Sequence, residues 1–306
     1  MPDLPTLDAL RARLDALAPP RAGPRALRLP NGTLPLGRRT LIMGIINVTP
    51  DSFSGDGLGG DVAVAIARGR QLIADGADIL DVGGESTRPG AEEVSVSEEI
   101  RRVVPVIEGL ARDGGMPPIS IDTCKPEVAR AALAAGATIV NDITGLQRDP
   151  RMARIASEHG APVVAMHILG SPKTMQQNPT YRSLIPEIAE YLAVSVETAV
   201  MAGVPRDQVV VDPGIGFGKT LQHNLELIRK MHLLRALGQP LLIGTSRKAF
   251  IGRILGGLPP AERVEGTMAT CVLAAAAGVD IVRVHDVGPI ARALRVADAV
   301  VRGYEE

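Results

Sequence analysis

Eight short apolar runs recur along the chain from residue 40: TLIMGIIN (40–47), ADILDVGG (77–84), PPISID (117–122), ATIVND (137–142), PVVAMH (162–167), QVVVDPG (208–214), PLLIGTS (240–246) and VDIVRVH (279–285). Each stays nearly continuously apolar until its last positions, as expected for parallel strands buried on both faces. Between them lie segments with apolar positions at helical spacing, such as VAVAIARGRQLIADGA (62–77), KPEVARAALAAGA (125–137), HNLELIRKMHLLRALG (223–238) and GTMATCVLAAAAGV (266–279). Several close near a glycine, a frequent helix terminator. Eight such units predict an α/β chain folded as a single (β/α)8 barrel over residues 40–306. The main rival, an open doubly wound sheet, requires a glycine-rich fingerprint after the first strand, where this chain has NVTPDSFSG. Residues 1–39 precede the rhythm. Leu7, Leu10, Leu14 and Leu17 at helical spacing predict an amphipathic helix. A Pro-rich stretch follows, and its Asn31-Gly32 predicts a hairpin turn. This extension is expected to pack on the barrel.

The runs end in polar side chains at corresponding places. The first ends in Asn47, the second in Asp81 with Glu85, the third in Asp122 and the fourth in Asn141 and Asp142. His167, Asp212, Ser246-Arg247-Lys248, and Arg283 with His285 close the remaining four. In a (β/α)8 barrel these ends converge on one mouth, where active sites sit. One polar residue at a strand end is ordinary. A ring of them is not, because burying amides and charges costs several kcal/mol unless they find partners. Asp122, Asn141 and Asp212 suit a flat heterocycle with ring NH and amino groups. Lys248, Arg88, Arg283 and His285 suit an anion such as a phosphate. Asn47 stands at the border, where its carbonyl oxygen suits Mg²⁺ held against phosphates.

Composition narrows the partners. The 306 residues are 45% apolar but only 2% aromatic, so the core must be built from Ala, Val, Leu and Ile. A formal net charge of −1 gives no reason to expect nucleic acid or an anionic membrane surface. No apolar run reaches the length of a membrane span, and the N-terminus lacks a secretory h-region. Two cysteines, Cys124 and Cys271, make no disulfide framework, so a reducing cytoplasm is the expected location.

Several signals have plainer explanations. GIGFGKT (214–220) misses a P-loop because the first glycine would fall at Pro213. No HExxH or Cys/His cluster suggests zinc. Asp122 and Asp212 taken singly could be helix caps, and Arg247 and Lys248 solvated surface charges. His167 and Cys124 are assigned structural roles.

Taken together, MGIINVTPDSFSGDG (43–57), DVGGESTRPGA (81–91), ISIDT (119–123), IVNDITG (139–145), MHILGSPKTMQ (166–176), DPGIGFGK (212–219), GTSRKAFIG (244–252) and RVHDV (283–287) closely resemble the dihydropteroate synthase family of folate biosynthesis. The resemblance spans nearly the whole barrel. It implies a TIM barrel, usually homodimeric, that joins 6-hydroxymethyl-7,8-dihydropterin diphosphate to 4-aminobenzoate and releases diphosphate. By motif, Asp122, Asn141, Asp212, Lys248, Met166 and Phe217 match the pterin contacts, and Asn47 matches the Mg²⁺ ligand. Arg88, Arg283 and His285, together with Asn47, match the diphosphate site. Thr87, Pro89, Phe217, Ser246 and Ala249 match the 4-aminobenzoate neighbourhood. Two family loops, here about 48–60 and 84–97, close over the substrates. Ala249 departs from several relatives, which carry Ser there, so a backbone NH must replace that hydroxyl. Asp122, Lys248, Arg283 and His285 are the expected catalytic set. A weakly nucleophilic arylamine implies extensive C–O cleavage before attack.

The nearest rival is a barrel that presents a methylated pterin to a corrinoid. It shares the Asp/Asn/Asp ring but has no use for the cationic SRK (246–248) and RVH (283–285). A non-catalytic homologue would show gaps in the ring, and none is seen.

Overall fold

A computed structural model describes residues 25–49, 62–87 and 92–304. The helix expected at Leu7–Leu17 lies outside the described residues, as do Arg88, Pro89 and most of the first of the two loops.

The described residues begin with a hairpin, β1 (Arg25–Leu29) and β2 (Gly32–Leu36), in which Leu29 pairs with Gly32. Its tip is therefore Pro30-Asn31 rather than Asn31-Gly32. Proline presets φ for the first central position of a common β-turn, and the glycine falls after it.

Eight parallel strands follow: β3 (Leu41–Asn47), β4 (Ile79–Gly83), β5 (Ile119–Asp122), β6 (Ile139–Asp142), β7 (Val163–Met166), β8 (Val209–Asp212), β9 (Leu242–Ile243) and β10 (Ile281–Val284). They pair in the order β8-β7-β6-β5-β4-β3-β10-β9. A single parallel bridge, Val211 to Leu241, joins β8 to the β9 segment. The run at 240–246 yields only two ladder residues, because Pro240 has no NH to donate and the chain turns soon after Gly244. The outer helices are α1 (Val62–Ala74), α2 (Val96–Ala111), α3 (Pro126–Ala134), α4 (Arg151–Glu158), α5 (Leu184–Met201), α6 (Leu221–Lys230), α7 (Ala249–Ile254), α8 (Val264–Ala276) and α9 (Val287–Arg302). The chain is a (β/α)8 TIM barrel. The pattern read as one helix over 223–238 divides into α6 and a 3-10 run, Met231–Leu237.

Strand parity divides each run between two cores. Ile42, Leu80, Ile121, Val140, Val211 and Val282 point outward and meet the helices. Met43, Ile79, Ile139, Val164, Val210 and Ile281 point inward, where they join Leu27 and Leu36 of the hairpin in a separate apolar cluster. The hairpin thus closes the N-terminal end of the barrel. Arg25 on β1 pairs with buried Asp280 at 3.1 Å, and the amide of Arg28 donates to Gln208 Oε1 at 2.5 Å.

Candidate active site

Two residues beyond four of these inward apolar side chains stands an inward polar one. Asp81 follows Ile79, Asn141 follows Ile139, Asp212 follows Val210 and Arg283 follows Ile281, because alternate residues share a sheet face. Asp142, one residue on from Asn141, has the opposite parity. Its carboxylate accepts from the Thr144 and Leu146 amides and so folds the β6–α4 turn.

The centre of the mouth is a charged cluster. Arg283 donates through Nε to Asp81 and through Nη2 to Asp122, both at 2.6 Å. Asn141 Nδ2 donates to the same Asp81 oxygen at 3.2 Å. Asp81 is fully buried, and its other oxygen has no hydrogen-bond partner among the described residues. Such an arrangement works against stability, and costs of this kind concentrate where function requires them. Burial works against the Arg283 charge, but Asp81 and Asp122 outweigh it and hold the guanidinium above its ordinary value. Burial pushes the Asp122 carboxyl up to about 7, with Arg283 opposing.

On one side of this cluster, Asp212 accepts the Gly214 amide at 2.8 Å. Lys248 Nζ donates to the Ile215 carbonyl and lies 4.8 Å from the Phe217 ring centroid. Burial pushes the Lys248 ammonium down to about 8, with Asp212 opposing. Arg247 just before it sits in the left-handed region at φ 57°, unusual for a residue with a side chain. Its guanidinium is bound by Asp286 at 2.6 and 2.8 Å, and its amide donates to Thr267 at 3.0 Å. These bonds offset the strain of a turn that sends Arg247 away from the mouth and Lys248 into it. Neither is a solvated surface charge. Ile143, Met166, Ile168 and Met175 form an apolar cluster against Phe217, a flat greasy bed beside the polar ring.

On the other side, His285 Nδ1 lies 2.9 Å from Ser246 Oγ, and its Nε2 lies 3.5 Å from Asn47 Nδ2. Ser246 Oγ also accepts the His285 amide at 3.1 Å. The Ser246 hydroxyl, expected beside 4-aminobenzoate, is thus engaged with the histidine. Ala249 is exposed at the start of α7. A cavity of about 670 Å³ extends from Asp122 and Thr87 beneath the segment 168–173, with Arg148 and Tyr191 on its walls.

Sequence reading missed two features of the mouth. Lys125 Nζ donates to Glu85 at 2.9 Å, to Glu99 at 2.6 Å and to the Val94 carbonyl at 2.7 Å, tying down the base of the β4–α2 loop. Glu99 reads as a surface acid in the first turn of α2, yet it is fully buried because Lys125 arrives from the next unit. Lys219 is buried beside His167, with Nζ 2.9 Å from Nδ1. Burial also pushes the Cys124 thiol up to about 11 and Cys271 up to about 12, so neither is a nucleophile at neutral pH. Among the described residues no helix is long and apolar enough to cross a membrane.

The chain is similar to known proteins in sequence and in fold. Residues 43–285 match the family described as pterin binding enzyme. Dihydropteroate synthase of Synechocystis is 49% identical over 87% of this chain and 92% of its own length. The Yersinia pestis dihydropteroate synthase, solved with a sulfonamide drug complex, superposes with a TM-score of 0.85 at 41% identity, covering 90% of this chain and 98% of that one. The Xanthomonas albilineans enzyme in complex with 7,8-dihydropteroate gives 0.77 at 42% identity, over 86% and 94%. The barrel, its inward ring of charges and these relationships agree: the chain belongs to the pterin-binding enzymes and, within them, to the dihydropteroate synthase family.

Proposed function

We propose the following division of labour at the mouth. The chain is a transferase of folate biosynthesis that condenses 6-hydroxymethyl-7,8-dihydropterin diphosphate with 4-aminobenzoate to give 7,8-dihydropteroate and diphosphate. The observation that carries the assignment of roles is the Asp81–Arg283–Asp122 cluster beside Asn141 and Asp212, facing the Phe217 bed. Asp122, Asn141 and Asp212 accept from and donate to the edge of the pterin, while Met166, Phe217 and Lys248 flank its faces. Arg283 and His285, with Arg88 from the β4–α2 loop, take the diphosphate. Thr87, Pro89, Phe217, Ser246 and Ala249 border 4-aminobenzoate. Ser246 reaches it through its backbone, since its hydroxyl belongs to His285.

As the C–O bond to diphosphate lengthens, positive charge spreads into the electron-rich pterin. Asp122 and Asp212 favour that charge from the ring edge, and Arg283 and His285 favour the charge growing on the leaving oxygen. The arylamine then attacks the methylene carbon and loses its proton after the new bond forms. Asn47 suits Mg²⁺, because with Nδ2 turned to His285 its carbonyl oxygen is left for a cation. Among the described residues no three His, Cys, Asp or Glu side chains converge to cage a metal, which fits an ion that shares most of its coordination with substrate phosphates and water. Bound there, Mg²⁺ would supply Lewis-acid neutralisation of phosphate charge. Exposed Leu273 on α8 and Val296 and Val300 on α9 support a homodimer through that face. The sulfonamide complex of the Yersinia pestis relative supports sulfonamide inhibition here, and the expected compartment is the cytoplasm.

The test is direct. Purified protein with both substrates and Mg²⁺ is expected to yield dihydropteroate and diphosphate in equal amounts, and Lys248→Ala and Arg283→Ala to abolish both. Tight pterin binding without turnover would move the chain to a methyl-carrier or non-catalytic role.

A further inference from the structure

The segment Gly214–Gly218, between β8 and α6, is held by side chains to an unusual degree. Its glycines at 214, 216 and 218 all have positive φ, at 67°, 83° and 66°. Four successive carbonyls each accept from a different side chain. Ile215 O takes Lys248 Nζ, and Gly216 O takes Gln176 Nε2 at 2.7 Å. Phe217 O takes Lys219 Nζ at 3.0 Å, and Gly218 O takes the Tyr181 hydroxyl at 2.8 Å. The Gly216 amide donates to buried Asn224 at 2.7 Å. Irregular backbone usually meets its hydrogen-bonding needs with water. Here the segment is a platform fixed before any ligand arrives.

Lys219 has no use in the mechanism above, yet it is 3% exposed and forms no ion pair with a carboxylate among the described residues. Its amine is shared between the Phe217 carbonyl and His167 Nδ1. His167 is itself 3% exposed and wedged edge-on against Tyr191, ring centroids 4.7 Å apart. Burial pushes His167 down to about 3 and Lys219 well below its ordinary value, so His167 is neutral, and in the tautomer with its proton on Nε2 its Nδ1 accepts from the Lys219 amine. An amine buried so deeply is retained against a cost, and the group it holds at the mouth is Phe217.

We infer that Lys219, with His167 as its buried acceptor, is a positioning residue that fixes the Phe217 carbonyl and ring against Lys248. This rests on the synthase reading, in which Phe217 both flanks the pterin and borders 4-aminobenzoate. The pterin keeps Asp122, Asn141, Asp212, Met166 and Lys248, which holds its own bond to Ile215, so loss of the Lys219 anchor falls mainly on the aryl substrate.

The experiment compares Lys219→Met, His167→Leu and His167→Gln by two-substrate kinetics and by hydrogen exchange of the peptide spanning 213–220. Glutamine keeps an acceptor for Lys219 and leucine does not. Lys219→Met and His167→Leu are expected to raise KM for 4-aminobenzoate about tenfold, with kcat and KM for the dihydropterin diphosphate moving less than about threefold. Exchange protection of the peptide should fall about tenfold in both, and His167→Gln should stay within about threefold of wild type on every readout. Unchanged exchange in Lys219→Met, or His167→Gln as damaging as His167→Leu, would overturn the inference. If Lys219→Met does not fold, the two His167 variants decide it. If the wild type makes no dihydropteroate, the synthase reading fails, and the exchange comparison still decides whether Lys219 holds the platform.

Discussion

At the N-terminal end of the barrel, Ile79, Ile139, Val210 and Ile281 meet Leu27 and Leu36 of the hairpin in a dry, fully apolar layer. Two residues along the same strands, about 7 Å higher, the same inward positions carry Asp81, Asn141, Asp212 and Arg283. The lower layer is held mainly by apolar burial, with Arg25–Asp280 and Arg28–Gln208 tying down the hairpin. With Asp122 the upper layer holds three carboxylates and a guanidinium that bonds two of them, and one oxygen of Asp81 has no hydrogen-bond partner among the described residues. One strand therefore supplies stability below and chemistry above, and the change is made in a single step of side-chain parity. Substitutions below should move stability without touching substrate affinity, and substitutions above should move activity first.

The sharpest break is Arg283→Met. It strips Asp81 and Asp122 of their shared partner, so kcat/KM is expected to fall by about 10³ or more, and denaturant unfolding to show a loss of about 3 kcal/mol. Retained activity would mean that the cluster is structural only. Leu27→Ala, in the hairpin, leaves a cavity in the lower layer and is expected to cost about 2–4 kcal/mol of unfolding free energy with both KM values unchanged. A change in KM would mean that the two layers are coupled. The third prediction is a pH dependence. A carboxyl raised to about 7 is neutral below that value and charged above it, so Asp122 offers the pterin edge two charged acceptor oxygens only above it. Affinity for hydroxymethyldihydropterin, which carries no diphosphate to titrate, should therefore fall as pH drops through about 7, approaching tenfold per unit on the acid side. Calorimetry over roughly pH 5.5 to 8.5 reads it directly, and a flat profile would assign the acceptor role elsewhere. Smallest is Arg28→Ala. It removes an exposed ion pair to Asp207 outside the barrel, and neither melting temperature nor activity should change measurably.

Much of this contrast was legible in the sequence, and the part that was not has a definite cause. The eight apolar runs locate the strands because both faces of a barrel strand are buried, and their polar ends locate the mouth. What a run does not reveal is which of two adjacent polar residues faces inward. Asn141 enters the cluster and Asp142 folds a turn, and only the strand's parity against its neighbours separates them. Nor does the sequence reveal partners that arrive from another unit. Glu99 is buried by Lys125, 26 positions away, and Lys219 by His167, 52 positions away. The Ser246 hydroxyl meets His285 for the same reason, since the β9 and β10 ends are neighbours in space but 39 residues apart along the chain.

The seam between β8 and β9 has a mechanical consequence. Every other pair of neighbouring barrel strands is laced by two to five paired residues, whereas this one has a single bridge, Val211 to Leu241. Asp212 stands on one lip of that seam and Lys248 on the other. A ligand gripped by both adds a further tie across that seam, beside the one Lys248 already makes to Ile215, so occupancy of the mouth braces the most thinly laced pair of staves.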